Sequence, residues 1–101
     1  MILEHAELSV TPGREAEFEA AFRSAAPIIS GSPGFRRLLL SRCLERENVF
    51  LLLVEWNSLE DHTEGFRGSP GYQEWRRLLH GFYDPFPVVE HFTTVLTADP
   101  A

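Results

Sequence analysis

The chain has 101 residues, 44% hydrophobic and 24% charged, with 9 basic against 15 acidic side chains and a net charge of −6. That is the length of one domain (residues 1–101, an ordered part over 2–96 and a loose tail over 97–101), and its acidity argues against nucleic acid as a partner. Every basic residue is arginine, which excludes a lysine Schiff base and the P-loop lysine; the lone Cys43 excludes an internal disulfide and a cysteine-rich metal site.

The start, Met1 to Glu7, has no basic stretch and no long apolar run, so neither a signal peptide nor a membrane span is expected; a cytoplasmic protein is. Ile2 to Val10 alternates. Ile2, Ala6, Leu8 and Val10 share one face, and His5, Glu7 and Ser9 the other, which predicts a strand. Thr11-Pro12-Gly13-Arg14-Glu15 reads as a helix start with Thr11 as cap, and Phe18, Phe22, Ala25 and Ile29 recur at helical spacing up to the stop at Gly31-Ser32-Pro33-Gly34. Phe35 to Leu44 predicts a second strand, with Glu45-Arg46-Glu47-Asn48 as a hairpin connector. Val49 to Trp56 predicts a third, apolar on both faces and therefore central. Asn57 or Ser58 caps a helix beginning Leu59-Glu60-Asp61-His62. After the Gly65 and Gly68 interruptions, Ser69 caps and Pro70 opens a second piece with Tyr72, Trp75 and Leu79 on one stripe. Val88 to Leu96 predicts the last strand.

The order is β-α-β-β-α-β. Right-handed crossovers fold it into a four-stranded antiparallel sheet, first and third strands central, with helices on one face. The other face is left uncovered although the third strand is apolar on both sides. Such a surface predicts a homodimer packed sheet against sheet.

The stretch Glu55-Trp56-Asn57-Ser58-Leu59-Glu60-Asp61-His62, then Gly65-Phe66-Arg67-Gly68-Ser69-Pro70 and Trp75, resembles the antibiotic biosynthesis monooxygenase family over about residues 2 to 96. Phe86-Pro87-Val88-Val89-Glu90-His91-Phe92 is similar to the family's last strand. The resemblance implies an α+β, ferredoxin-like protomer and a dimeric α+β barrel, each protomer with a cavity between sheet and helices. It implies dioxygen chemistry on phenolic compounds without metal or flavin, hence no cofactor. Haem-degrading members carry an asparagine on the first strand, where this chain has Glu4, His5 and Glu7, so haem is not expected.

His62 matches the family's motif histidine. It is a candidate general base, because imidazole titrates near neutral pH; its structural reading is a cap that fixes the helix to the sheet. Trp56 and Trp75 are candidate walls for an aromatic ligand, or core aromatics at the sheet–helix junction. Tyr72, one turn from Trp75, is a candidate donor to a substrate oxygen. His5 and His91 lie on strands expected to be neighbours, their rings facing each other, either as a relay or within a hydrogen-bonded interface; without ligand spacing they make no metal site. Arg37, mid-strand among leucines, either binds an anionic substrate or forms an ion pair.

Two functions fit these residues. One is a cofactor-independent monooxygenase acting on a small phenolic or quinol-type aromatic, with His62 as base, Tyr72 as donor and Trp56 and Trp75 as walls. The other is a non-catalytic or stress-related dimer whose pocket holds a small hydrophobic molecule without turning it over.

Overall fold

The computed structural model describes residues 1–101. The strands are β1 (Ile2–Ser9), β2 (Phe35–Arg42), β3 (Val49–Trp56) and β4 (Val89–Phe92), and the main helices are α1 (Glu15–Ser30) and α2 (Pro70–Leu79). A π-helical turn spans Asp61–Phe66 and a short 3₁₀ turn spans His80–Phe82. The sheet is antiparallel in the order β2-β3-β1-β4, with β1 and β3 central as the alternation predicts. This is the ferredoxin-like α+β arrangement.

The core sits between one sheet face and the helices. From α1 come Phe18, Phe22, Ala25 and Ile29; from β1 Ala6 and Leu8; from β3 Phe50, Leu52, Val54 and Trp56; from the later helical segments Phe66, Trp75, Leu79 and Phe82. Burying a side chain of this size contributes roughly 1.5–3 kcal/mol. Edge-to-face contacts such as Phe22–Trp75 and Phe18–Phe82 lock the aromatic part.

Several local expectations need correction. Helix α1 starts at Glu15, not near Thr11. Gly13 takes φ +92°, which breaks the helical path, and the Thr11 amide and hydroxyl both donate to the Phe82 carbonyl. Ser69 precedes α2, but its hydroxyl donates back to the Phe66 carbonyl at 2.7 Å and caps nothing ahead of it. The last strand stops at Phe92, and the exposed residues beyond it have no ladder to join.

Ser58 and Asp61 form a reciprocal cap. The Ser58 amide donates to the Asp61 carboxylate and the Asp61 amide to the Ser58 hydroxyl, both at 3.2 Å. The turn they open is one residue wider than an α-helix: the Arg67 amide reaches back to the His62 carbonyl. His62 and Phe66 are its buried residues.

The helix-free face carries rows set by the register. Arg37, Glu55, Leu3 and Phe92 form one row, and Leu39, Leu53, His5 and Glu90 the next. Leu39 and Phe92 are exposed.

Candidate functional site

A cavity of about 370 Å³ opens between the sheet and the helices, large enough for a small ligand. Ala6, Leu8, Leu52 and Val89 floor it. Phe66, Tyr72, Trp75, Tyr83, Phe86 and Pro87 wall it, and Glu4, His62, Arg67 and His80 bring polarity to an otherwise apolar lining.

Glu4 is the unexpected member. Strand alternation puts it on the same face as Ala6 and Leu8, where it is 5% exposed. A carboxylate there needs partners, and two reach it. The Trp56 indole N–H donates to Oε1 at 2.9 Å, and His62 Nε2 lies 3.3 Å from the same oxygen. Oε2 has no hydrogen bond from the protein, yet no buried side-chain oxygen lacks a partner, so Oε2 meets the open space of the cavity.

His62 is 3% exposed and stacks on the Trp56 indole, ring centres 5.4 Å apart and planes inclined by 18°. Its second nitrogen, Nδ1, lies 2.7 Å from Nε2 of His91. Burial, then the positive charge of Arg67 and the neighbouring His91, pull the His62 pKa down to about 3. Burial pushes Glu4 upward, opposed by the Trp56 hydrogen bond and by Arg67. Both shifts act in one sense: burial disfavours the charged form of Glu4 and of His62 alike, and the contact between them gives each a polar partner in an apolar surrounding. His91 and His80 are likewise lowered, chiefly by burial, and the Tyr83 hydroxyl is raised by burial and by Glu4.

The sequence-derived candidates divide. His62, Tyr72 and Trp75 line the cavity. Trp56 stands behind it and holds Glu4. His91 touches His62 but is not a lining residue. His5 does not reach the cavity: the register pairs it with Glu90, and His91 with Glu4, so the His5 and His91 rings leave opposite faces of the sheet and do not meet. On its own face His5 packs edge-on against Phe92 at 5.5 Å. Arg37 is on that face too, 3.9 Å from Glu55, so an ion pair within the chain takes the place of a cavity contact. Glu4 was the residue missed, and its signal was present: it is the single acid in phase with Ala6, Leu8 and Val10.

Fold and site together define a small α+β protein with an aromatic-walled cavity and one buried carboxyl–imidazole pair. The model of the antibiotic biosynthesis monooxygenase family matches residues 1–78, and the chain belongs to that family. It is 61% identical over 95 residues to the uncharacterized protein YczJ of Bacillus subtilis (strain 168), covering 94% of this chain and all of that one. A Bordetella bronchiseptica protein named for the same family is similar in structure, with TM-score 0.89 and 37% identity, over 94% of this chain and 97% of that chain. A variant of SnoaB, a cofactor-independent oxygenase from Streptomyces nogalater, shares the fold at TM-score 0.83 and 23% identity, over 95% of this chain and 94% of that chain. No helix is long and apolar enough to cross a membrane.

Proposed function

We propose that this protein is a cofactor-independent monooxygenase that oxidises a small phenolic or quinol-type aromatic with dioxygen. The observation that carries the reading is a buried carboxyl–imidazole pair opening into an aromatic-walled cavity. A phenol bound there loses its proton to this pair, and the Tyr72 hydroxyl donates to a second oxygen of the substrate. The anion gives one electron to dioxygen. The two radicals combine as a carbon-bound peroxide anion, which takes a proton back from the pair to become the hydroperoxide, and loss of water leaves a quinone carbonyl. The protein removes a proton, orients a ring and keeps water out. SnoaB, named as a cofactor-independent oxygenase, supports the reading by its shared fold. Trp75 and Phe66 are proposed to face the ring, with Trp56 supporting Glu4 from behind.

The functional unit is proposed to be a cytoplasmic homodimer joined through the helix-free sheet faces. The leucines in the central rows of that face support this.

Oxygen consumption by metal-stripped protein across a panel of hydroquinones and naphthohydroquinones tests the reaction. Uptake is expected with at least one of them, reduced about a hundredfold in Tyr72→Phe, the usual consequence of removing one donor to a developing anion. The competing reading is a dimer that only holds a hydrophobic molecule. It would be supported by uptake with none of them alongside an intact aromatic recovered from the purified protein.

A further inference from the structure

Three titratable side chains run end to end from the cavity to the surface. The first is Glu4, with Oε1 against His62 and Oε2 toward the cavity. The second is His62, with both ring nitrogens engaged, Nε2 to Glu4 at 3.3 Å and Nδ1 to His91 at 2.7 Å. The third is His91 on β4, partly exposed. Its Nε2 is occupied by His62. Its Nδ1 has no protein partner and, since no buried nitrogen is unpartnered, meets solvent. The three are strung in a line and do not converge on a point, and no group of three such residues is arranged to hold a metal ion.

We propose that Glu4, His62 and His91 form a proton-conducting chain that carries a substrate proton from the cavity to solvent at His91. This deepens the oxygenase reading and rests on it for the identity of the proton donor, a phenolic O–H. Glu4 is the catalytic group that meets the substrate; His62 and His91 act through it.

The bookkeeping closes without a charged intermediate on the chain. At rest Glu4 is a neutral acid with its proton on Oε1, directed at His62 Nε2; His62 carries its proton on Nδ1, directed at His91 Nε2; His91 carries its own on Nδ1. The phenol gives its proton to Oε2. The Oε1 proton passes to His62 Nε2, the His62 Nδ1 proton to His91 Nε2, and the His91 Nδ1 proton leaves to water. The phenol is left as its anion, hydrogen-bonded by a carboxyl that is still neutral, and no electrons move. When product takes a proton back from Oε2, the same hops run in reverse and reset the chain. Each site gains one proton as it loses another, so none need bear a charge in the apolar interior. The upward push on Glu4 and the downward pull on His62 fit that resting state. Trp56 takes no part in transfer, since its N–H only donates, but it fixes Oε1 and stacks on His62 so that the spacing is kept.

The test uses the full chain labelled with ¹⁵N in its histidines, without substrate. Expected are neutral His62 and His91, each protonated on Nδ1, and a scalar coupling across the His62 Nδ1–His91 Nε2 hydrogen bond. The decisive readout is exchange of the buried His62 ring proton with solvent. In His91→Gln the side-chain carbonyl still accepts the His62 N–H but passes no proton on, so exchange is expected to slow about a hundredfold, the lower range of what positioned proton transfer contributes. A His91 that merely braces His62 gives the opposite result, unchanged or faster exchange on loosening, and that overturns the proposal. So does a missing coupling or a doubly protonated His62. Because exchange is read without substrate or oxygen, slowed exchange with no oxygen uptake discards the oxygenase reading alone. Uptake with unchanged exchange discards the relay alone.

Discussion

Trp56 and Glu4 show how one residue's burial forces the choice of another. A carboxyl on the core face needs a donor, and the indole at the end of β3 supplies it. Trp56→Phe removes the donor and, at a fully buried site, part of the ring volume, so chemical denaturation is expected to show a loss of about 1–3 kcal/mol for the group left short of a partner, with a cavity cost added to it. His62 sets a pH dependence whose sign is fixed by its lowered pKa. Between the ordinary 6.5 and about 3 the unfolded chain binds a proton that the native chain refuses, so stability falls as acid is added through that window. One such proton is worth up to about 1.4 kcal/mol per pH unit. Lowered His80 and His91 act in the same direction. Glu4, raised, acts oppositely: its contribution is full below its ordinary 4.5 and is lost as pH rises through the native value. Denaturation midpoints stepped through this range are expected to show a shallower acid limb in His62→Gln than in the parent. At this scale the sequence made Tyr72 and Trp75 legible through their shared helical stripe, and His62 through its place in the stretch that resembles the family. Glu4 was overlooked although its phase with Ala6, Leu8 and Val10 places it on the core face, because an acid is ordinarily read as solvated; what the sequence did not hold was the indole and imidazole that meet it there.

Two small devices position the turn that holds His62. One is the Ser58–Asp61 cap, and Ser58→Ala is expected to cost about 1 kcal/mol. The other is Gly34, which takes φ +82° and lies so close to the Asp61 side chain that a Cβ would overlap its carboxylate. Gly34→Ala is therefore expected to destabilise by about 1–3 kcal/mol or more from backbone conformation alone, with further loss as Asp61 is pushed from its cap; a thermal unfolding scan reads it. The long elements were plain in the sequence, since apolar periodicity over eight to sixteen residues leaves little choice. The π-helical turn was not, because a run rich in small and polar residues such as Asp61-His62-Thr63-Glu64-Gly65 supports an α-turn equally well. The wider turn is the one that brings His62 and Phe66 together into the core. The early end of β4 was equally hidden: Thr93 to Leu96 have good strand composition, but the pairing stops at Leu3 with Phe92, and the register carries Thr94 to Leu96 past the start of β1.

The whole molecule has one covered and one bare sheet face. Replacing a central leucine of the bare face, Leu53→Arg, is expected to shift sedimentation from dimer to monomer, while the circular dichroism of the helices persists because the core lies on the other side. A parent chain that is monomeric throughout the micromolar range would remove the dimer from the proposal. The shape of the cavity carries a separate consequence. β4, which gives Val89 to its floor, is a four-residue strand at the sheet edge, bonded along one side only. Amide hydrogen exchange is expected to find Glu90 to Phe92 opening well before β3. That strand also bears the outermost imidazole. Each local opening of the strand therefore parts His91 from His62, and each closing rejoins them, so the edge of the sheet sets how long the three side chains stay in line.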